Sequence, residues 1–238
     1  MEVKLIRLEE VDSTNNYLRN YTPAEGEEAT LCIAEFQHAG RGCGTNSWES
    51  ERGKNLTFSV MIHPEEIPAS GQFLISEAVS VALCRTLSPY IYNKVEIKWP
   101  NDIYVDDRKI CGILIENRLQ GPIIKDAVIG IGLNVNQTTF VSDAPNPVSL
   151  CQITGHEMNR EALLDEFLKR LDEALHDETV PTDYRSRLYR RDGLFAYRDQ
   201  EGLFRARLKD VLPDGRLLLT DEAGQERTYA FKEVQFVI

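Results

Sequence analysis

The chain has no apolar run of membrane-spanning length in its 238 residues. Its opening, Met1-Glu2-Val3-Lys4-Leu5-Ile6-Arg7, lacks the apolar stretch of a signal peptide and reads as a first strand. The expected location is therefore the cytosol, with no membrane partner. Cysteine is scarce: there are five, an odd number, and no two stand at CxxC spacing. That argues against both a disulfide framework and a zinc site. Cys32 and Cys84 fall within apolar patterns and are expected in the core, whereas Cys43 sits among glycines. Positive charge is in deficit. The 27 Lys and Arg face 38 Asp and Glu, for a net charge of -11. This is a poor balance for a general nucleic-acid binder, which needs clustered cations to meet phosphates. No helix-turn-helix pattern stands before the first strand, so no DNA-reading module is expected. No Ser/His/Asp arrangement is evident, and His38, His63 and His156 belong to no motif. Internal repeats and low-complexity segments are also missing.

Against these absences, 42% hydrophobic and 27% charged residues are ordinary for a globular protein, and 238 residues are enough to enclose a sizeable core. The acidity is uneven. From Arg187 to Ile238, ten Lys and Arg stand against nine Asp and Glu, so the rest of the chain carries 17 against 29. That shift places a boundary near residue 187 and divides the chain into 1–186 and 187–238. In the first part, strands are expected at Leu5–Val11, Leu31–Phe36 and Leu56–His63. Along the third, Leu56, Phe58, Val60 and Ile62 alternate so as to face one way. A short helix is expected to run to Asn20, capped by Asp12 or Ser13, and another over 70–87, ended by Pro89. Strands at Val95–Trp99, Ile110–Ile115 and Ala127–Val135 follow. The spacing of Leu163, Leu164, Phe167, Leu168, Leu171 and Leu175 predicts an amphipathic helix over 160–177, with a shorter one over Thr182–Tyr189. Four short strands close the chain: Leu203–Val211, Arg216–Thr220, Arg227–Phe231 and Val234–Ile238. With turns at Pro213-Asp214-Gly215 and Glu222-Ala223-Gly224, they suggest a small β-barrel.

Five segments carry residue types suited to an anionic ligand. In Gly40-Arg41-Gly42-Cys43-Gly44, alternate glycines let backbone N–H groups approach a ligand, and Arg41 offers a guanidinium to a carboxylate or phosphate. The segment is neither a P-loop nor a dinucleotide fingerprint; a flexible turn is an equal reading. Lys98-Trp99-Pro100-Asn101-Asp102 places a cation, an amide and a carboxylate at a strand end. Such a set can hold a triphosphate and Mg2+, or simply form a polar turn over a buried Trp99. Gly112 interrupts the apolar strand Lys109-Ile110-Cys111-Gly112-Ile113-Leu114-Ile115-Glu116, through a close ligand approach or through a β-bulge. Gly130-Ile131-Gly132-Leu133-Asn134-Val135-Asn136 puts two asparagines at the end of a buried-looking strand. Their amides need a hydrogen-bond partner, from a ligand or from a neighbouring loop. Asp12-Ser13-Thr14-Asn15 is a helix cap, or a set of hydroxyls and an amide aimed at a polar ring. Together these describe a site with three cations (Arg41, Lys98, Lys109), one carboxylate able to ligate a metal (Asp102), and no evident nucleophile. Such a site suits adenylation, where a carboxylate attacks the α-phosphate directly and the protein supplies position and charge.

The same segments, in this order, resemble the biotin protein ligases over nearly the whole chain. The resemblance rests on Asp12-Ser13-Thr14-Asn15, Gln37-His38-Ala39-Gly40-Arg41-Gly42, Trp48, Lys98-Trp99-Pro100-Asn101-Asp102, the Lys109–Glu116 strand and Gly130–Asn136. It implies an α+β fold of the class II aminoacyl-tRNA synthetase/biotin ligase type. That fold is a mixed, mainly antiparallel central sheet with helices, followed by a small C-terminal SH3-like β-barrel. It implies an ATP-dependent ligase that forms biotinyl-5'-AMP and transfers biotin to a lysine of a biotin carboxyl carrier protein. It places Ser13, Thr14, Asn15 and Gln37 at the biotin ureido ring. It closes Gly40, Arg41 and Gly42 over biotin and the adenylate. Lys109 meets the biotin carboxylate and the α-phosphate, and Gly112 and Ile113 line the biotin pocket. Trp48, Lys98, Asn101, Asp102 and Asn134 fall on the ATP side, with Asp102 as the Mg2+ ligand. Arg41, Lys109 and Asp102 form the implied catalytic set, and Asp102 is the candidate base for the acceptor lysine. Phe140–Leu150 is placed to cover the adenine. A homodimer through a sheet edge stays open, as do two alternatives: a lipoate or octanoate ligase on the same fold, and a non-catalytic biotin- or nucleotide-binding module. One departure stands out. Many members carry arginine where this chain has Cys43, so the loop is one cation short; either the adenylate is held less tightly, or another residue such as Arg52 or Lys54 compensates.

Overall fold

A computed structural model describes residues 1–64, 67–142 and 144–238. The order of elements is β1 (Val3–Val11), α1 (Thr14–Arg19), β2 (Ala29–Gln37), β3 (Leu56–Ile62), α2 (Phe73–Leu87), β4 (Val95–Lys98), β5 (Asp102–Val105), β6 (Arg108–Gln120), β7 (Ile123–Leu133), α3 (Leu150–Thr154), α4 (Arg160–Leu175), α5 (Val180–Ser186), β8 (Phe195–Asp199), β9 (Gly202–Val211), β10 (Leu217–Asp221), β11 (Glu226–Tyr229) and β12 (Gln235–Phe236).

Seven strands form one sheet in the order β1-β2-β3-β7-β6-β5-β4. The β1–β2 pair is parallel and the others are antiparallel, as the mixed, mainly antiparallel reading expects. Side chains alternate across this sheet with the period of two that strand geometry imposes. Leu56, Phe58, Val60 and Ile62 of β3 join Ala127, Ile129, Ile131 and Leu133 of β7 in the main core. There α2 and α4 pack on them, with the rings of Phe58 and Phe167 in edge contact at 5.5 Å. The opposite face carries α1, whose Leu18 packs with Cys32, Met61 and Val128 in a second, smaller cluster. Strand β3 is therefore buried along its whole length, on both faces, and not on one as its alternation suggests.

The C-terminal strands form a five-stranded antiparallel sheet, ordered β11-β10-β9-β8-β12. The expected barrel is corrected: among the described residues nothing pairs β11 with β12. Strand β12 is only two residues long, Gln235 and Phe236, too short an edge to carry a closing ladder beyond its pairing with β8. This sheet still shares the main core, through Tyr197, Ala206, Leu208, Val211, Leu217, Leu219, Tyr229 and Val234. Polar contacts lock it in place. Trp99 Nε1 donates to the Gly215 carbonyl at 2.8 Å. Arg185 of α5 donates to Asp210 at 2.9 Å and to the Val211 carbonyl at 2.9 Å.

Three short elements were not expected. Strand β5 has four residues and an apolar run without alternation, β8 ends in charged residues, and α3 spans five residues. Too few turns or alternations exist in such lengths to show a period.

Candidate active site

Strand register collects the separate segments onto the α1 face of the large sheet. Lys98 pairs with Asp102, Asp102 with Gly112, Gly112 with Gly132, and Gly132 with Thr57. Laterally paired residues point to the same face, so these form one row across β4, β5, β6, β7 and β3. The neighbouring row holds Ser59, Gly130 and Leu114. A β-bulge does occur in β6, but at Ile110, where Ile103 pairs with Cys111 and Tyr104 with Lys109. It does not account for Gly112.

The paired glycines make room for an aromatic ring. A Cβ added at Gly112 would come 2.9 Å from Trp48 Cζ3, and one at Gly132 would overlap the Trp48 indole. Trp48 thus lies flat on the sheet, held by its backbone N–H donating to the Gly40 carbonyl at 2.9 Å. Its Nε1 is buried and has no hydrogen-bond partner among the described residues. Lys109 Nζ stands 5.7 Å from this ring and meets Asp102 at 2.6 Å.

On the neighbouring row α1 lays down a polar network. The Gln37 side-chain oxygen accepts from the Thr14 N–H at 2.8 Å and from its hydroxyl at 3.1 Å. The Thr14 and Ser59 hydroxyls are 2.7 Å apart, and Ser59 donates to Asn15 Oδ1 at 2.6 Å. Asn15 Nδ2 donates to Glu116 at 2.9 Å. Glu116 in turn receives both guanidinium arms of Arg41 at 3.0 Å, and Arg41 also donates to Asn16 at 2.9 Å. Burial alone would raise the Glu116 carboxyl; hydrogen bonds from Arg41 and Asn15 outweigh it and hold the group below its ordinary value. Ser13 occupies the N-cap position of α1 but makes no capping hydrogen bond, and it is buried beside Thr14 and Asn15.

Other expected residues behave differently. The Ile113 side chain is 3% exposed in the helix-covered core, because alternation turns it to the face opposite Gly112, so that any part it has in the pocket falls to its backbone. Its backbone meets Asn101 twice, the carbonyl accepting from Asn101 Nδ2 at 2.7 Å and the N–H donating to the Asn101 carbonyl at 2.9 Å. Asn101 also contacts Cys43 Sγ at 3.1 Å, so its amide is engaged within the protein. Asn134 donates to the Val148 carbonyl at 3.1 Å, and its Oδ1 is buried with no partner among the described residues. It ties down the 140–150 segment, of which Asp143 lies outside the described residues. That segment runs beside the start of β6, with Val148 N–H donating to the Lys109 carbonyl at 2.9 Å. Lys98 Nζ lies 5.2 Å from the rings of both Tyr104 and Phe236. Burial pushes its ammonium below the ordinary value, against the pull of Asp102. Arg52 meets Glu10 at 2.5 Å and Lys54 meets Glu157 at 2.9 Å. Two network members, Ser59 and Asn16, were missed, and Glu116 was given no role. Ser59 had a signal, being a hydroxyl at a polar position of a core strand.

Comparison with known proteins now adds to this geometry. The model of the Biotin/lipoate A/B protein ligase family matches residues 8–134. The bifunctional ligase/repressor BirA of Escherichia coli is 34% identical over 167 residues, which are 69% of this chain and 51% of that protein. The biotin--[acetyl-CoA-carboxylase] ligase of Paracoccus denitrificans is 30% identical over 165 residues, 66% of this chain and 67% of that one. The chain thus spans about half the length of the first curated relatives it matches. Among solved structures, the biotin protein ligase from Aquifex aeolicus in complex with biotin and ATP superposes with a TM-score of 0.81 at 25% identity, covering 98% of this chain and 99% of that one. A match over more than half of the residues, on a shared fold, means that this chain belongs to the Biotin/lipoate A/B protein ligase family.

Proposed function

We propose that the chain activates biotin with ATP to biotinyl-5'-AMP and passes the biotinyl group to one lysine of a carboxyl-carrier domain. The observation that carries this is the row Lys98, Asp102, Gly112 and Gly132, with Lys109 ion-paired to Asp102 at 2.6 Å beside it. It puts cations next to a glycine-floored surface, with a hydroxyl and amide network one row away. Biotin is an apolar bicycle with one polar ureido edge, and Ser13, Thr14, Asn15 and Gln37 offer groups for that edge.

In the first step a biotin carboxylate oxygen attacks the α-phosphorus and pyrophosphate leaves with the electrons of the broken P–O bond. Lys109 would offset the charge where two anions must meet. In the second, the acceptor amine attacks the acyl carbon and AMP leaves; Asp102 is the candidate to receive the amine's proton. Arg41 holds the loop to β6 and α1 through Glu116 and Asn16. Among the described residues no three His, Cys, Asp or Glu gather as a metal site. Asp102 is a single carboxylate, which fits a Mg2+ that arrives on the phosphates of ATP. The division into a catalytic part, 1–186, and a C-terminal part, 187–238, belongs to the same reading. So do the cytosolic location and a homodimer. No helix among the described residues is long and apolar enough to cross a membrane.

Transfer of radiolabelled biotin to a carrier domain tests the proposal, with Lys109→Ala as the control and lipoic acid run in parallel. Labelling by the unmodified chain and not by the variant is expected. No transfer of biotin, or transfer of lipoate instead, would overturn it.

A further inference from the structure

The glycine loop is short of available positive charge. Arg41 is engaged by Glu116 and Asn16, and Lys109 by Asp102. Cys43 is a thiol that burial pushes up, so it brings no charge of its own. The C-terminal part supplies a cation at this place. Lys232, in the turn between β11 and β12, lies against Gly44: a Cβ added there would overlap its Nζ and come 3.0 Å from its Cε. Its charge reaches Cys43, where it acts with Lys109 against the effect of burial.

Packing does not explain Lys232. The side chain is exposed, and the only aromatic ring it faces among the described residues is that of its neighbour Phe231, 5.7 Å from Nζ. No carboxylate pairs with it among the described residues; Lys209 and Arg227 of the same sheet are paired, while Arg198 and Arg207 are not. Its backbone φ is 71°, a left-handed conformation that glycine adopts freely and lysine does not. A strained backbone that carries an unpaired cation toward a ligand loop points to a ligand.

We propose that Lys232 is a phosphate-binding cation of the active site, reaching from the C-terminal sheet to meet the phosphates of ATP and then to retain the phosphate of the acyl-adenylate. This rests on the adenylating function proposed above. Lys232 thereby does from the far side of the loop what the uncharged side chain at position 43 cannot. Phe236, whose ring lies over Lys98, brings a second cation of the site under the influence of the same C-terminal segment.

Three variants test it: Lys232→Gly, Lys232→Arg, and Lys232→Gly combined with Cys43→Arg. Glycine suits the backbone at 232, so the first removes the charge without threatening the fold; its melting temperature should equal or exceed that of the unmodified chain. Binding of MgATP and of inorganic pyrophosphate is measured by calorimetry, and biotin-dependent pyrophosphate release by a coupled assay. Lys232→Gly should weaken both ligands about tenfold, the scale of one charge-assisted contact, and raise KM for ATP while leaving KM for biotin unchanged. Lys232→Arg should bind nearly as well as the unmodified chain, and Cys43→Arg should restore binding to Lys232→Gly. Equal binding of both ligands by Lys232→Gly and the unmodified chain would overturn the inference and leave the ligase reading standing. Phosphate binding that depends on Lys232, without biotin-dependent pyrophosphate release, would support the inference and overturn the ligase reading.

Discussion

Arg41 fastens the glycine loop to the sheet and helix beneath it. Its two bonds to Glu116 and one to Asn16 use the planar fork of the guanidinium to fasten the loop to β6 and α1. Glu116→Gln should therefore loosen the loop more than the fold. The side chain is 23% exposed, so the stability loss should stay near ~1 kcal/mol. Under the proposed function, kcat/KM for biotin should fall about tenfold; steady-state kinetics beside a urea melt separates the two. Glu27 is a residue of pure stability. Burial alone would raise its carboxyl. Bonds from Thr30, the Ala24 N–H, Lys4 and Tyr21 outweigh that and bring it to about 2, from an ordinary value of 4.5. A carboxylate lowered on folding contributes stability above the unfolded pKa and loses it as pH falls through the folded one. Glu27→Gln should thus lower Tm at pH 7, and the deficit should shrink between pH 4.5 and 2. A deficit that persisted unchanged at acid pH would contradict the assignment.

At the scale of elements, the β6–β7 pair is a floor made flat by Gly112 and Gly132, on which Trp48 rests. The indole covers the surface where a nucleotide would approach Lys109 and Asp102, and its Nε1 is buried without a partner among the described residues. Trp48 is one of two tryptophans in the chain, and the other, Trp99, is bonded to Gly215 and 3% exposed. Addition of MgATP should therefore change the emission of Trp48 alone, and Trp48→Phe should abolish the change. Gly132→Ala should displace the ring and red-shift emission even without nucleotide, because the added methyl occupies its position. An unshifted spectrum in that variant would mean the ring does not rest there in solution.

Across the whole molecule, one arginine joins the C-terminal sheet to the helices that pack on the large sheet. Arg185 bonds Asp210 and the Val211 carbonyl of β9, and also Glu77 of α2 at 3.3 Å. Glu77 is 2% exposed, and burial raises its carboxyl against the pull of Arg185. Removing the arginine leaves a carboxyl buried without its partner, which costs about 3–5 kcal/mol for a fully buried pair. Because the Arg185 side chain is itself 29% exposed, Arg185→Ala should cost about 2–3 kcal/mol. Arg185→Ala with Glu77→Gln should recover most of that, since the stranded charge is gone. Chemical unfolding of both variants checks the pair; equal losses in the two would show that the ion pair is not the cause.

Local sequence determined the long elements and the list of candidate segments. Leucine spacing over 160–177 is enough to specify α4, alternation is enough to show β3, and the apolar cores of β6 and β7 were legible though not their charged and polar ends, because those patterns depend only on neighbours in the chain. The segments that now share the site were each visible as glycines, amides or charges in unusual places. Their arrangement was not. Register between strands set Lys98, Asp102, Gly112 and Gly132 in one row, and the same alternation sent Ile113 to the core. Strand length left the C-terminal sheet open. Folding of that sheet onto the first brought Lys232 to a loop nearly two hundred residues earlier in the chain. Periodicity reports which face a side chain takes, while pairing and docking between distant segments decide what shares that face.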